Sequence, residues 1–226
     1  MAHLGMSLTR EDNRDVNPHT RVLAVAATLA ITATATACGS GSGNQRIGGS
    51  TQGISIEVPG SFSVLDLTSE ATAVNSIAKL GLTAADVDTL VPQAKQFQQL
   101  HAALAVDTKG AAANSGQFPD NIGAYCLDSG TDLTGSSAVP TIKKELTSEF
   151  GGLQVTDVSM EGMQVGGVPG LETTYLLASS SGETLRAGQL EVAPKPQKFC
   201  FVTLTTSVGT FSNSILSMAA QTAQFT

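Results

Sequence analysis

Residues 154–207 hold four strand-like runs in close succession, QVTDVSMEGMQV, GLETTYLLAS, ETLRAGQLEVA and KFCFVTLTTS, linked through GGVPG, SSSG and PKPQ. Links this short carry no crossover, so neighbouring runs must pair antiparallel. Whatever else the chain does, it is built on an antiparallel sheet.

The flanking segments add helices to that sheet. ISIEVPGSF begins with Ile54, Ile56 and Val58 alternating with Ser55 and Glu57, which predicts a half-buried strand and a Pro-Gly turn, with SVLDL (63–67) as its partner. Thr68 or Ser69 caps a helix over EATAVNSIAKL, with Gly81 at its left-handed end. A second helical stretch covers 82–100, started by Thr83 and Asp86 and interrupted at Pro92. HAALAVDT and NIGAYCL read as strands, and a third helix is expected from Ser137 to Phe150, with Pro140 in its first turn. A closing helix over 211–225 brings Ile215, Leu216, Met218 and Ala219 onto the sheet. The class expected is α+β, an antiparallel β-sheet flanked by helices. With no Trp and only 4% aromatic residues, its core must come mainly from Val, Leu, Ile and Ala.

The first of the three cysteines, Cys38, lies outside these elements, behind an apolar amino-terminal segment. VLAVAATLAITATATA, residues 22–37, is uncharged, follows Arg21 and ends in small residues, which is the order of a secretory signal. Its 16 residues fall short of the roughly 20 that a membrane span needs. Met1 or Met6 is its start. Ala35-Thr36-Ala37-Cys38 resembles the lipobox of bacterial lipoproteins, with Ala35 where that family prefers Leu. The resemblance implies lipidation of Cys38, diacylated on its sulfur as the mature amino terminus, and a place on the extracytoplasmic face of the cell membrane. Two acyl chains, at roughly 0.8 kcal/mol per buried CH₂, hold a domain stably. The domains expected are a signal peptide over 1–37, the lipidated Cys38 with a flexible Gly/Ser tether over 38–53, and a globular unit over 54–226.

Setting Cys38 aside leaves Cys126 and Cys200, an even count in an oxidising compartment. A disulfide between them closes a loop of about 75 residues and contributes roughly 3–4.5 kcal/mol; the alternative is two buried free thiols.

Several chemistries are disfavoured by residue type alone. The net charge of −7 is dispersed, with no basic cluster longer than Lys143-Lys144, so nucleic acid is no partner. His3 and His19 leave with the signal, and His101 alone cannot support both a catalytic triad and a zinc site; it reads as a packed or surface histidine. CLDSGTDL resembles the active-site turn of aspartic proteases, yet such enzymes need two sharing a proton, and only one copy is present, so Asp128 is read as ending a strand in an Asx-type turn. Asp128 with Asp132, and Asp86 with Asp88, read as solvated carboxylates and not as calcium ligands. The Gly-rich stretches lack the lysine and the strand-helix setting of a phosphate loop. No catalytic residue, metal or cofactor is expected.

The order of elements also resembles the Mog1/PsbP-like domains found in actinobacterial envelope lipoproteins. The residues that carry this are LVPQAKQFQQLHAALAVD, then FPDNIGAYCL with Phe118, Asn121 and Ile122, and VGGVPGLETTYLL from Gly167 to Tyr175. Phe62 stands where that family often has Trp after Val58-Pro59-Gly60. The resemblance implies a non-enzymatic binding module for an envelope protein or a small apolar ligand. The alternatives are a lipid or glycolipid carrier with an apolar cavity lined by residues 70–105 and, less favoured, an envelope hydrolase.

Overall fold

The computed structural model describes residues 43–80, 97–109, 119–128, 154–178 and 184–226. The signal peptide, Cys38, the stretch 82–96, the helix expected over 137–150, and Asp86, Asp88 and Asp132 lie outside the described residues.

Among the described residues the strands are β1 (Asn44–Gly49), β2 (Ile54–Pro59), β3 (Phe62–Leu65), β4 (Ala103–Asp107), β5 (Asn121–Asp128), β6 (Gln154–Val165), β7 (Val168–Ala178), β8 (Thr184–Lys195), β9 (Lys198–Ser207) and β10 (Gln224–Phe225). The helices are α1 (Glu70–Ala78) and α2 (Asn213–Thr222). Seven strands form one antiparallel sheet in the order β3-β4-β5-β9-β8-β7-β6, and β1-β2-β10 form a second. The expected class, α+β with antiparallel sheet and flanking helices, is the class observed.

The four runs between 154 and 207 pair as their short links require. β6 turns into β7 through Gly166 and Gly167, both at positive φ, which is the two-residue hairpin geometry that glycine serves best. β8 turns into β9 through Pro196 and Gln197, with Gln197 at φ 61°. β6, the last strand of this sheet among the described residues, carries a bulge between Thr156 and Ser159, with Asp157 at φ 52°. Such a bulge and its charge interrupt the row of backbone donors and acceptors that an outer strand presents.

Three expectations need correction. Residues 44–49, assigned to the tether, form β1, because Ile47 buries its side chain to 2% exposure while Arg46 pairs with Glu57 across the β1–β2 hairpin at 3.2 Å. SVLDL is not the partner of β2: β3 pairs with β4, and β2 lies between β1 and β10. The closing helix ends at Thr222, and Gln224–Phe225 instead add a short strand to β2. Ser69 is the cap of α1; its hydroxyl accepts from the Thr72 backbone N–H at 3.1 Å while the Thr72 hydroxyl accepts from the Ser69 N–H at 2.9 Å.

Alternation along the central strands makes two cores. On one face, Ala103, Ala105, Ile122, Ala124, Cys200, Val202, Leu204 and Leu190 meet the small sheet (Ile47, Ile54, Ile56, Val58) and α2 through Leu216, Ala219 and Ala220. Gly188 permits that approach: a Cβ there would strike Leu216 and the Phe211 ring. On the other face, Leu104, Val106, Tyr125, Tyr175, Leu177, Phe199 and Phe201 pack with Ala73 and Ile77 of α1 and with Phe97. The disulfide expected between Cys126 and Cys200 is formed, between directly opposed residues of β5 and β9.

Candidate functional site

The described residues form a groove of about 450 Å³ at one end of the domain. Three segments build it: Gly48, Thr51 and Gln52 from the β1–β2 turn, Val64 to Thr68 from the end of β3, and Gln98 with His101 to Ala103 from the entry to β4. Val64 is 47% exposed, one of two large apolar residues so placed among the described residues.

Each wall is held by local chemistry. Asp66 accepts from the Thr68 hydroxyl at 2.6 Å and the Thr68 N–H at 3.0 Å, and these bonds hold its carboxyl below the usual carboxylate range. Gln98 Nε2 donates to the Thr68 carbonyl at 3.3 Å, linking two walls.

His101 stands at the left-handed residue that closes the helical turn 97–100, at φ 51°. The Ala102 N–H donates to the Phe97 carbonyl at 2.9 Å and the His101 N–H to the Gln98 carbonyl at 3.0 Å, the paired bonds of a Schellman ending. Glycine commonly fills that position; here an exposed imidazole does, on the rim of the groove. The sequence placed His101 at a helix-to-strand junction but gave no sign that three distant segments converge around it.

A second polar region is buried. Thr173, Tyr175, Gln189, Glu191, Thr203 and Thr205 share the face of the seven-stranded sheet that α1 covers, all at 9% exposure or less. Thr173 donates to Glu191 Oε1 at 3.3 Å, Gln189 Nε2 to the same oxygen at 3.4 Å, and Tyr175 to Gln189 Oε1 at 3.4 Å. Burial pushes the phenols of Tyr125 and Tyr175 upward, and the nearby Glu191 adds to both, so they stay protonated. Beside this array, Thr205 Oγ1 is buried without a hydrogen-bond partner among the described residues. It lines a cavity of about 20 Å³ with Phe97, Leu100, Leu104, Asn121, Gly123, Tyr125 and Thr203, a volume suited to a water molecule and far below that of an acyl chain.

At the opposite end from the groove, the Asp107 N–H donates to the Asp120 carbonyl at 2.7 Å, and Thr210 donates to Asp120 Oδ1 at 2.8 Å. Burial pushes the Asp120 carboxyl up to about 6; the Thr210 bond opposes the rise and the Asp107 charge adds to it. Because the folded value lies above the ordinary 3.8, this group's stabilising contribution is complete below that value and is lost as pH climbs through about 6. Raising the pH from 4 to 7 should therefore cost on the order of 1–2 kcal/mol at this residue, allowing for solvent screening. Asp120→Asn keeps an acceptor for Thr210 and should flatten that part of the pH dependence. Urea midpoints at four pH values check this; identical slopes for the two proteins would refute the assignment.

Among the described residues, no group of three or more His, Cys, Asp or Glu side chains is placed to hold a metal ion. Asp128 ends β5, exposed and opposite Lys198. No described helix is long and apolar enough to cross a membrane.

No protein-family model matches the sequence. No curated protein matches it either. Solved structures do resemble it: cyanobacterial PsbP from Synechocystis sp. PCC 6803 at 12% identity, covering 84% of this chain and 98% of that one, with a TM-score of 0.48. The Ran-binding protein Mog1p of Saccharomyces cerevisiae aligns at 9% identity over 82% of this chain and 96% of its own, TM-score 0.48. LpqN of Mycobacterium tuberculosis, described as involved in cell envelope biogenesis, aligns at 13% identity over 76% and 83%, TM-score 0.45.

Proposed function

We propose that the chain is an exported, lipid-anchored protein of the cell envelope whose α+β domain acts as a non-enzymatic binding module, with the 48–52, 64–68 and 98–103 groove as its recognition surface. The observation that carries this reading is the division of the three cysteines. Cys126 and Cys200 are consumed in a disulfide, which suits an oxidising compartment, and Cys38 alone follows a signal-like segment and a lipobox-like tetrapeptide.

The groove favours a protein partner over an enclosed apolar ligand. It is open, and it sets Val64 and Leu65 beside Gln52, Asp66, Gln98 and His101, the mixture of apolar and polar groups that protein-recognition surfaces present. The cavity over Gly123 gives the carrier reading no support, being too small for an acyl chain.

Site-specific photo-crosslinking in intact cells tests this. With a benzophenone amino acid in place of Val64, discrete membrane-associated adducts are expected; in place of Glu161, on β6 at the far side of the seven-stranded sheet, none. Equal adduct patterns at the two positions, or none at Val64, would place recognition elsewhere.

A further inference from the structure

From the position of β1 we infer that the end of the domain bearing Asn44, the Pro59–Ser61 turn and the Ser207–Thr210 turn is the face held against the lipid bilayer, with the groove pointing away from it. This rests on the reading of Cys38 as the acylated residue.

Distance carries the first half of the inference. Only Gly39 to Gly43 separate Cys38 from the first residue of β1. Six Cα–Cα steps span at most about 20 Å, so an anchor at Cys38 keeps Asn44 within about that distance of the membrane surface. Had the first strand begun at Ile54, the link would have been long enough for the domain to tumble freely.

Register identifies what accompanies Asn44. It lies opposite Pro59, and Gln45 Nε2 donates to the carbonyls of Pro59 and Phe62. Phe62 lies opposite Asp107, whose N–H reaches Asp120; Thr210 of the turn after β9 bonds to Asp120. All of these share one end. The other end holds the Ser50–Gly53 turn, whose Gln52 carbonyl accepts from the Cys126 N–H, the disulfide, and the groove.

The described residues of the two ends differ in surface chemistry in the matching sense. At the Asn44 end the described turn residues Pro59, Gly60, Ser61, Val208, Gly209 and Thr210 are uncharged, and Val208 is 47% exposed. Of the described carboxylates there, Asp107 and Asp120 are buried and the partly exposed Glu57 is paired with Arg46 and bonded by Asn44; Lys109 is half-buried. The groove end exposes Asp66, Asp128 and Lys195. Uncharged turns with an exposed valine lose little on approaching lipid headgroups, whereas exposed ions lose hydration.

Because the chain contains no Trp, a single introduced one reports its own location. Val208→Trp and Thr51→Trp both fall on exposed turns at opposite ends, separated by at least the length of β1, about 20 Å. The full chain, acylated in a bacterial host, is reconstituted into phosphatidylethanolamine/phosphatidylglycerol vesicles with a dansyl acceptor on the headgroups. Energy transfer from the Trp at 208 should exceed that from the Trp at 51 at least threefold, with both variants floating with the vesicles. Equal or reversed transfer in floating protein overturns the orientation and leaves the anchor intact. Failure of both to float shows that Cys38 is not the anchor, and the orientation falls with it.

Discussion

Replacing both Cys126 and Cys200 with alanine is expected to lower the unfolding free energy by about 4 kcal/mol and the thermal midpoint by roughly 10 °C. The bridge spans a sequence separation of 74 and joins facing residues of two central strands, β5 and β9. Cutting it restores the freedom of a long loop to the unfolded chain, which is where most of the effect arises in the chain-entropy model. Part of the loss is local to the groove end. The Cys126 N–H holds the Gln52 carbonyl, the Thr226 N–H holds the Gly53 carbonyl, and a Cβ on Gly53, at φ 73°, would run into Cys126. The wild type in reductant keeps the volume of both sulfurs and should show most of the same loss, which separates loop entropy from the small cavities that alanine leaves. A midpoint unchanged by reductant and by the double substitution would mean that the bridge is not formed in the folded protein.

The second large effect is one of place. Cys38→Ala should move the protein from the membrane pellet to the soluble extracytoplasmic or secreted fraction, with complete loss of label from an alkyne fatty acid. The domain itself should be unaffected, since Cys38 lies outside its described strands and six residues before β1. Unfolding free energies of the two released domains, measured in urea, should therefore coincide within about 0.5 kcal/mol, the usual range for surface changes. A soluble wild type, or a variant that stays in the pellet after a salt wash, would refute acylation as the anchor.

Both effects bear on how far the sequence could be read. The hairpins of β6 to β9 were legible because period-two alternation and short turn segments leave one arrangement, and the cysteine pairing because two apolar strand-like runs each held one thiol. β1 was not: NQRIGG has one apolar residue, and what makes it a strand is the fit of Ile47 between two sheets and the Arg46–Glu57 pair, neither visible locally. The pairing of β2 with β10 depends on residues about 170 positions apart, beyond any local signal. Glu191 and Gln189 alternate with Leu190 and Val192 as if one face were wet; the other side of the sheet is covered too, and their hydrogen bonds to Thr173 and to each other make burial tolerable. The groove lacks a local sequence signature for a related reason. Its residues are ordinary in their own segments, and only His101, at a position where glycine is common, carries a local irregularity.

The most direct measurement is the intact mass of the protein extracted from membranes of cells expressing the full chain. An amino terminus at Cys38 bearing a diacylglyceryl group, with Cys126 and Cys200 two hydrogens lighter than the reduced form, is the predicted result. An unmodified Cys38, or a mature terminus at another residue, would contradict it.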